Sequence, residues 1–264
     1  MAVLDGLAWT FDTVAEQYGK FRPGYPAELY QTLFEYCSRE KGGRAVEVGI
    51  GAGQAVLPML AAGWGVTAVE CGKHFAEMCR EKFCRYTGFS VIQDKFEDAV
   101  LPAAFFDLVY SASAFHWIEE GIGYRKAYEI LKPGGVFARF ANHPYRDKGK
   151  PELSAEMDRI YAAYYYPYHH KTPVIPKEYT EEEACERADI ALNYGFREVR
   201  YAMFTRTRSF TADEYVSLLG TYSDHIVIEE GVRREFFAAI RDAILASGGE
   251  ITVYDTIDLQ LARK

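Results

Sequence analysis

Val46-Glu47-Val48-Gly49-Ile50-Gly51-Ala52-Gly53-Gln54 is the stretch that decides how this chain folds. A short apolar run ends in three glycines at alternate positions, so a strand turns tightly and its backbone can approach a ligand closely. Gln54 to Ala62 reads as a helix whose first N–H groups have no partner inside the helix. Outward from this unit the alternation repeats. Ala45 to Val48, Val66 to Val69, Phe89 to Gln93, Phe106 to Ser111 and Val136 to Phe140 read as five short strands. Helices are expected over His74 to Tyr86 and about 121–131, and Lys132-Pro133-Gly134-Gly135 reads as a turn. Strands alternating with helices imply βαβ crossovers and a parallel sheet with helices on both faces.

Upstream, an amphipathic stretch around Phe11 to Tyr18 precedes Arg22-Pro23-Gly24-Tyr25-Pro26, where two prolines forbid a continuous helix. A helix follows on Leu29, Leu33, Phe34 and Cys37, closed by Lys41-Gly42-Gly43. Downstream of strand five the regularity breaks, because residues 142–176 hold a tyrosine-dense helix and a proline-containing loop. Helical periodicity resumes over Glu181 to Tyr194. Thr211-Ala212-Asp213-Glu214 resembles a helix N-terminus, and Val232 to Ala246 a further helix. Two long strands, about 197–209 and 250–262, suggest an antiparallel addition at one edge of the sheet. The expected architecture is therefore α/β: a Rossmann-like seven-stranded sheet, mostly parallel with an antiparallel edge strand, with a small helical insertion after strand five. One domain spans 1–264, with an N-terminal helical arm or lid over 1–40 and an inserted tyrosine-rich cap over 143–180.

Composition narrows the function. Lys and Arg number 30 against 38 Asp and Glu, a net charge of −8, so nothing here is built to neutralise a phosphate backbone. No apolar run approaches the roughly 20 residues of a membrane span, and the segment MAVLDGLAWTFD lacks the basic and apolar regions of a signal peptide. Cys37, Cys71, Cys79, Cys84 and Cys185 are odd in number and form no C-x-x-C pair, which suits free thiols in a reducing cytoplasm. No histidine spacing offers a metal site. A small-molecule partner, no nucleic acid, no membrane, and a monomer or weak homodimer are expected.

The spacing of the glycine turn discriminates between cofactors. A dinucleotide fingerprint needs Gly or Ala where this chain has Gln54, and Glu47 would repel a pyrophosphate. An acidic turn suits a cofactor with a cationic amino-acid end better. Glu70 ends the second strand 17 residues after Gly53 (70 − 53), where a carboxylate can take both hydroxyls of a ribose. After strand three, Gln93-Asp94-Lys95-Phe96-Glu97-Asp98 supplies carboxylates able to accept from an adenine amino group. After strand four, small residues give way to bulky ones in Ser111-Ala112-Ser113-Ala114-Phe115-His116-Trp117.

Taken in order, E-x-G-x-G-x-G, the acidic end of strand two, D-x-F-E, F-D-L-V…A-F-H-W and L-K-P-G-G resemble the class I S-adenosylmethionine-dependent methyltransferases, and most closely the small-molecule branch called methyltransferase type 11. Arg22, Pro23, Tyr25 and Pro26 are similar to the N-terminal arm of that branch. The likeness carries specific motifs from about Thr10 to Asn142 and only the order of elements beyond. It implies S-adenosylmethionine as cofactor, S-adenosylhomocysteine as product, and no metal. It also implies roles: Gly49, Gly51 and Gly53 along the methionine end, with Glu47 near its ammonium; Glu70 on the ribose; Asp94, Phe96 and Glu97 around the adenine. Ser111 and Ala112 would lie under the sulfonium, with Tyr18, Arg22 and Tyr25 closing over the site. Lys95 departs from the small residue common there and leaves open which carboxylate meets the adenine.

The chemistry implied is in-line displacement onto a small-molecule acceptor, for which the cofactor carries the activation and no nucleophile–base triad is needed. Where an acceptor must lose a proton, His116, His143 and tyrosines of the insertion are the candidate bases, although a lone histidine at a strand end is commonly structural. Tyr25, Trp117, His143, Tyr165 and Tyr168 are the candidate acceptor contacts, the tyrosines roofing a pocket outside the carboxyl ends of the strands. Arg233-Arg234 beside Glu229-Glu230 reads as a solvated helix face. Two rivals share part of this pattern: a non-catalytic binder of the same cofactor, and a nicotinamide enzyme that Gln54 and Glu47 disfavour.

Overall fold

In the computed structural model, residues 15–38 and 42–264 are described, so 1–14 and 39–41, with the start of the amphipathic stretch from Phe11, the first part of the 1–40 arm and Lys41, lie outside the described residues. The apolar runs form strands β1 (Arg44–Val48), β2 (Gly65–Glu70), β3 (Phe89–Gln93), β4 (Phe106–Ala112) and β5 (Leu131–Tyr145). All pair in parallel, and with β6 (Arg197–Thr211) and β7 (Glu250–Arg263) they make one sheet in the order β3-β2-β1-β4-β5-β7-β6. Strand β7 runs antiparallel to both β5 and β6, which puts the antiparallel pairing at that edge of the sheet.

Why both faces are buried is written in the period of two along each strand. Ala45, Val66, Ala68, Leu108, Tyr110 and Phe140 face one apolar layer. There they meet Leu29 and Leu33 of α2 (Ala27–Cys37) and Val56 and Met59 of α3 (Val56–Ala61), while α1 (Ala15–Phe21) packs Tyr18 against Ala52 and Phe75. Val46, Val48, Val69, Val109 and Phe137 face the other, against Tyr124, Ala127 and Ile130 of α5 (Glu120–Ile130). Helix α4 (Lys73–Lys82) joins β2 to β3.

A third apolar cluster makes the cap. Helix α6 (Pro151–Ile160) gives Leu153, Met157 and Ile160; α8 (Ala212–Leu219) gives Leu219; after the short α9 (Ser223–Ile226), α10 (Glu230–Ala246) gives Phe236, Ile240 and Ile244. The cap is therefore assembled from two stretches, one before α7 (Glu181–Asp189) and one after β6. Thr211 and Glu214 form a reciprocal capping box at the start of α8, as Thr180 and Glu183 do for α7.

Several boundaries differ from expectation for identifiable reasons. Strand β5 continues through His143 to Tyr145, residues expected in the cap, because β7 is long enough to pair with them: Asn142 lies opposite Ile257 and Tyr145 opposite Tyr254. Lys132–Gly135 interrupts β5 as an irregularity in its register with β4 instead of ending the element. Helix α2 ends at Ser38, whose left-handed backbone terminates it before the glycines. The tyrosine run is broken by a π-turn over Tyr161–Tyr165. After Asp189, α7 tightens into a 3₁₀ turn, Ile190–Tyr194.

Candidate functional site

Chain order reverses between β1 and β4: from β1 the chain moves outward to β2 and β3, then returns to β4 on the other side of β1. The two crossovers leave a crevice outside the carboxyl ends of these strands, the general ligand position in open α/β sheets. Here it is a cavity of about 940 Å³, enough for a cofactor together with a small acceptor, since ligand pockets span roughly 300–1,000 Å³.

The glycine turn forms its floor. Gly49 has φ +72°, and a Cβ there would sit 2.5 Å from Ala114 Cβ on the neighbouring crossover, so only glycine fits both demands. Glu70 pins the turn: its Oε2 accepts from Gly51 N at 2.9 Å and its Oε1 from Gly72 N at 2.8 Å. Carboxylate oxygens hold two lone pairs each, so Glu70 keeps capacity for ribose hydroxyls in addition.

Glu47 is the electrostatic centre. It is 1% exposed, and its Oε2 accepts from Tyr110 Oη at 2.7 Å. Its other oxygen, Oε1, is buried with no hydrogen-bond partner among the described residues. Burial, with a smaller contribution from the Glu70 charge, pushes the Glu47 carboxyl up to about 8, against the Tyr110 bond that lowers it. A buried, unpaired carboxylate oxygen is costly unless a cation or donor reaches it. The donor set at this floor thus fits the ammonium of an amino-acid-bearing cofactor. Asp94, Phe96 and Glu97 line the same half of the cavity, with Phe96 buried and Asp94 exposed.

The N-terminal arm closes one side through specific bonds. Arg22 Nε and Nη2 donate to Thr221 Oγ1 and O, both at 3.0 Å, and its guanidinium lies 4.0 Å over the Tyr222 ring. Tyr25 Oη shares a 2.9 Å hydrogen bond with Ser113 Oγ and packs edge-on to Phe140. Ser113 holds φ +54°, in the left-handed region, at the very end of β4; such strain clusters at functional sites. Arg206 reaches across from β6, donating to Gly24 O at 2.7 Å and Asn142 Oδ1 at 2.8 Å, while Arg206 and Arg208 both hold the buried Asp255.

At the far end, His143 Nε2 lies 2.9 Å from Asp258 Oδ1, and its ring stacks on Tyr179 with centroids 3.6 Å apart. Tyr179 Oη donates to Asp258 Oδ2 at 3.1 Å. Behind them the buried Arg139 donates to Gln260 and to Arg187 O. His116 lines the open cavity with its side chain exposed. Desolvation there, then the charges of Arg187 and Arg139, push its imidazole down to about 4, so it is neutral at pH 7.

Fourteen of the residues named from sequence line one cavity: Tyr18, Arg22, Tyr25, Glu47, Gly49, Gly51, Glu70, Asp94, Phe96, Glu97, Ala112, His116, Trp117 and His143. Four others are placed elsewhere. Ser111 is buried and donates to Val48 O at 2.8 Å, which ties β4 to β1 and turns it from the sulfonium position expected. Gly53 has φ +78° and yields its Cβ space to Phe83, 2.5 Å away, so it serves packing of the turn. Tyr165 and Tyr168 sit in the cap cluster instead of over an acceptor, because their hydroxyls are drawn to Asp224 Oδ2 at 2.7 Å and Val227 O at 2.8 Å. What borders the cavity from that side is Lys171, Tyr222, Ser223 and Asp224. Sequence reading also passed over Ser113, Asn142, Arg187 and Arg208. The signal available was the pair of carboxylates, Asp255 and Asp258, set among the apolar residues Ile251, Val253, Ile257, Leu259 and Leu261 of the last strand, which demands buried partners.

Residues 46–139 match the family model described as a methyltransferase domain. An uncharacterized methyltransferase of Schizosaccharomyces pombe is 23% identical over 259 residues, covering 96% of this chain and 93% of the relative. Among solved structures, one from Anaeromyxobacter dehalogenans assigned as a type II methyltransferase superposes with a TM-score of 0.66 at 25% identity, covering 92% of this chain and 98% of that one. A Haemonchus contortus phosphoethanolamine N-methyltransferase 2 bound to S-adenosylhomocysteine shares the fold, with a TM-score of 0.56 at 13% identity over 96% of this chain and 57% of its own.

Proposed function

We propose that this chain, a class I S-adenosylmethionine-dependent methyltransferase by its 46–139 domain, moves a methyl group by in-line displacement onto a small-molecule acceptor enclosed beneath the cap. The single observation that carries the cofactor assignment is Glu47 Oε1, buried and unpartnered at the floor of the cavity between β1 and β4. Bound S-adenosylmethionine supplies an electrophilic methyl group on a cationic sulfur. This chain's own part is alignment and the exclusion of water. Glu47 takes the ammonium, Glu70 the ribose hydroxyls, and Asp94, Phe96 and Glu97 the adenine, while Gly49 lets the backbone pass close to the methionine end.

The arm and cap do the enclosing. Tyr18 and Tyr25 stand over the turn as neutral phenols, since burial pushes both hydroxyls up, so they are donors and apolar walls and not bases at pH 7. His116 is neutral and accessible, and His143 is held in orientation by Asp258; either can take a proton from an acceptor that carries one. Five free thiols fit a cytoplasmic setting, and among the described residues no helix is long and apolar enough to cross a membrane. A monomer or weak homodimer is the working form proposed.

The test is cofactor turnover against a panel of acids, phenols and amines, with S-adenosylhomocysteine measured as product. Formation of that product with any acceptor, lost in Glu47→Ala, supports the proposal. Tight binding of S-adenosylhomocysteine without turnover on any acceptor would assign a sensor or structural role instead.

A further inference from the structure

Opposite Glu47, the far half of the cavity carries a guanidinium that no ion pair among the described residues holds. Arg187, near the end of α7, is half-buried and lines the cavity beside His116. Its carbonyl accepts from Arg139, but among the described residues its guanidinium has no hydrogen bond or ion pair. The charge of Arg187 is felt by Asp258, but that carboxylate makes no bond to it and its oxygens are occupied: Asp258 accepts from Ala141 N, His143 Nε2, Tyr179 Oη and Gln260 Nε2, which is about the four lone-pair sites a carboxylate owns. Asp224 is taken by His225 Nδ1 and Tyr165 Oη, and Glu119 caps α5 through Gly121 N.

The other cations at this end differ from Arg187. Arg208 is paired with Asp255 and Arg22 is bonded to Thr221. Lys171, exposed on the cavity rim, has no ion pair among the described residues. The influence of Arg187 is visible on its surroundings, where it adds to burial in pushing His116 down. A half-buried guanidinium beside a second one, Arg139, is unfavourable until an anion arrives. A planar fork of donors recognises one class of partner best, the oxyanion it can hold by two parallel bonds.

We infer that the small-molecule acceptor carries an oxyanion, a carboxylate or a phosphate, bound by Arg187 with help from Lys171 at the end of the cavity opposite Glu47. The inference rests on the methyltransferase reading above and adds the chemical class of its acceptor. The cavity is thereby bipolar: carboxylates grip one ligand at the glycine turn, and Arg187 of α7 with Lys171 on the rim grips the other.

Calorimetric titration of the protein saturated with S-adenosylhomocysteine tests it. The carboxylate arm uses succinate and benzoate, the phosphate arm inorganic phosphate and phosphoethanolamine, and the controls are succinamide and benzamide at matched ionic strength. The expected result is that one anionic arm binds and its neutral counterparts do not. Arg187→Gln then weakens that anion about tenfold or more, Arg187→Lys recovers part of it, and affinity for S-adenosylhomocysteine is unchanged. Should Arg187→Gln fail to fold, Lys171→Gln on the exposed rim carries the same test, with a few-fold loss expected. Amides binding as well as acids, no anion binding, or variants with wild-type anion affinity would each overturn the inference. Failure to bind S-adenosylhomocysteine at all would instead overturn the cofactor assignment.

Discussion

Glu47 answers two opposed demands, and the opposition is measurable. Its carboxyl is raised from 4.5 to about 8 in the folded chain, so ionising it in the absence of ligand works against folding. The burden is absent below about pH 4.5, grows through the window up to about 8, and is full above it. Glu47→Gln keeps a polar partner for Tyr110 and removes the charge, so thermal melts are expected to show the variant gaining on wild type as pH rises to 8, with the difference closing near pH 4.5. The same variant should lose cofactor affinity. Equal melting behaviour at both ends of that window would show that Glu47 is not held as described. Gly49 offers a sharper steric test. Gly49→Ala places a Cβ against Ala114 in a left-handed backbone and is expected to cost about 1–3 kcal/mol in denaturant unfolding and to abolish cofactor binding. The place of Glu47, Gly49, Gly51 and Glu70 on one cavity wall was legible from sequence because all lie within one βαβ unit, where spacing alone fixes position, whereas Gly53 is taken up by packing against Phe83. Ser111 was not, because its hydroxyl has a choice between the cavity and Val48 O, and only the neighbouring strand decides.

Among elements, the arm and the antiparallel strands act together. The Pro23–Pro26 loop is read easily from sequence as a non-helical arm, yet what holds it, Arg206 to Gly24 O, joins residues 182 apart. No local pattern contains that information. Asp255 is the anchor: its side chain is fully buried between Arg206 and Arg208 and also accepts from Asn142. Removing one member of a buried pair leaves uncompensated charge, so Asp255→Ala is expected to lower unfolding free energy by about 3–5 kcal/mol, read by urea titration. Arg22→Ala, at a half-buried site where the guanidinium is bonded to Thr221 and lies over the Tyr18 and Tyr222 rings, should leave stability within about 1.5 kcal/mol of wild type while speeding S-adenosylhomocysteine release, measured by stopped flow. The tyrosine run illustrates the limit of helical periodicity. Its composition marked an aromatic cap, and a cap exists, but α8 and α10 share it, and their apolar faces pull Tyr165 and Tyr168 inward and away from the cavity.

At the scale of the molecule, strand–helix alternation was enough to read a parallel sheet with helices on both faces, since each short apolar strand has its period-two partner layers. The position of β7 between β5 and β6 was not readable, because two long strands at the end of a chain can pair as neighbours in either order. That order matters for the site: it carries Asp255 and Asp258 of β7 into register with Pro144 and Ala141 of β5 and so builds the far wall of the cavity. Net charge of −8 also conceals the arrangement that counts, carboxylates at the glycine turn and, at the far end, Arg187 and Lys171 with no ion pair among the described residues. The central claim is that the turn receives the ammonium of S-adenosylmethionine or its product on Glu47. Isothermal titration with S-adenosylhomocysteine at pH 7, repeated in buffers of different ionisation enthalpy, tests it most directly. Because Glu47 is mostly protonated at that pH before binding, wild type should bind with release of nearly one proton, and Glu47→Gln should bind more weakly with none. Absence of binding, or binding with no proton released by wild type, would contradict the account.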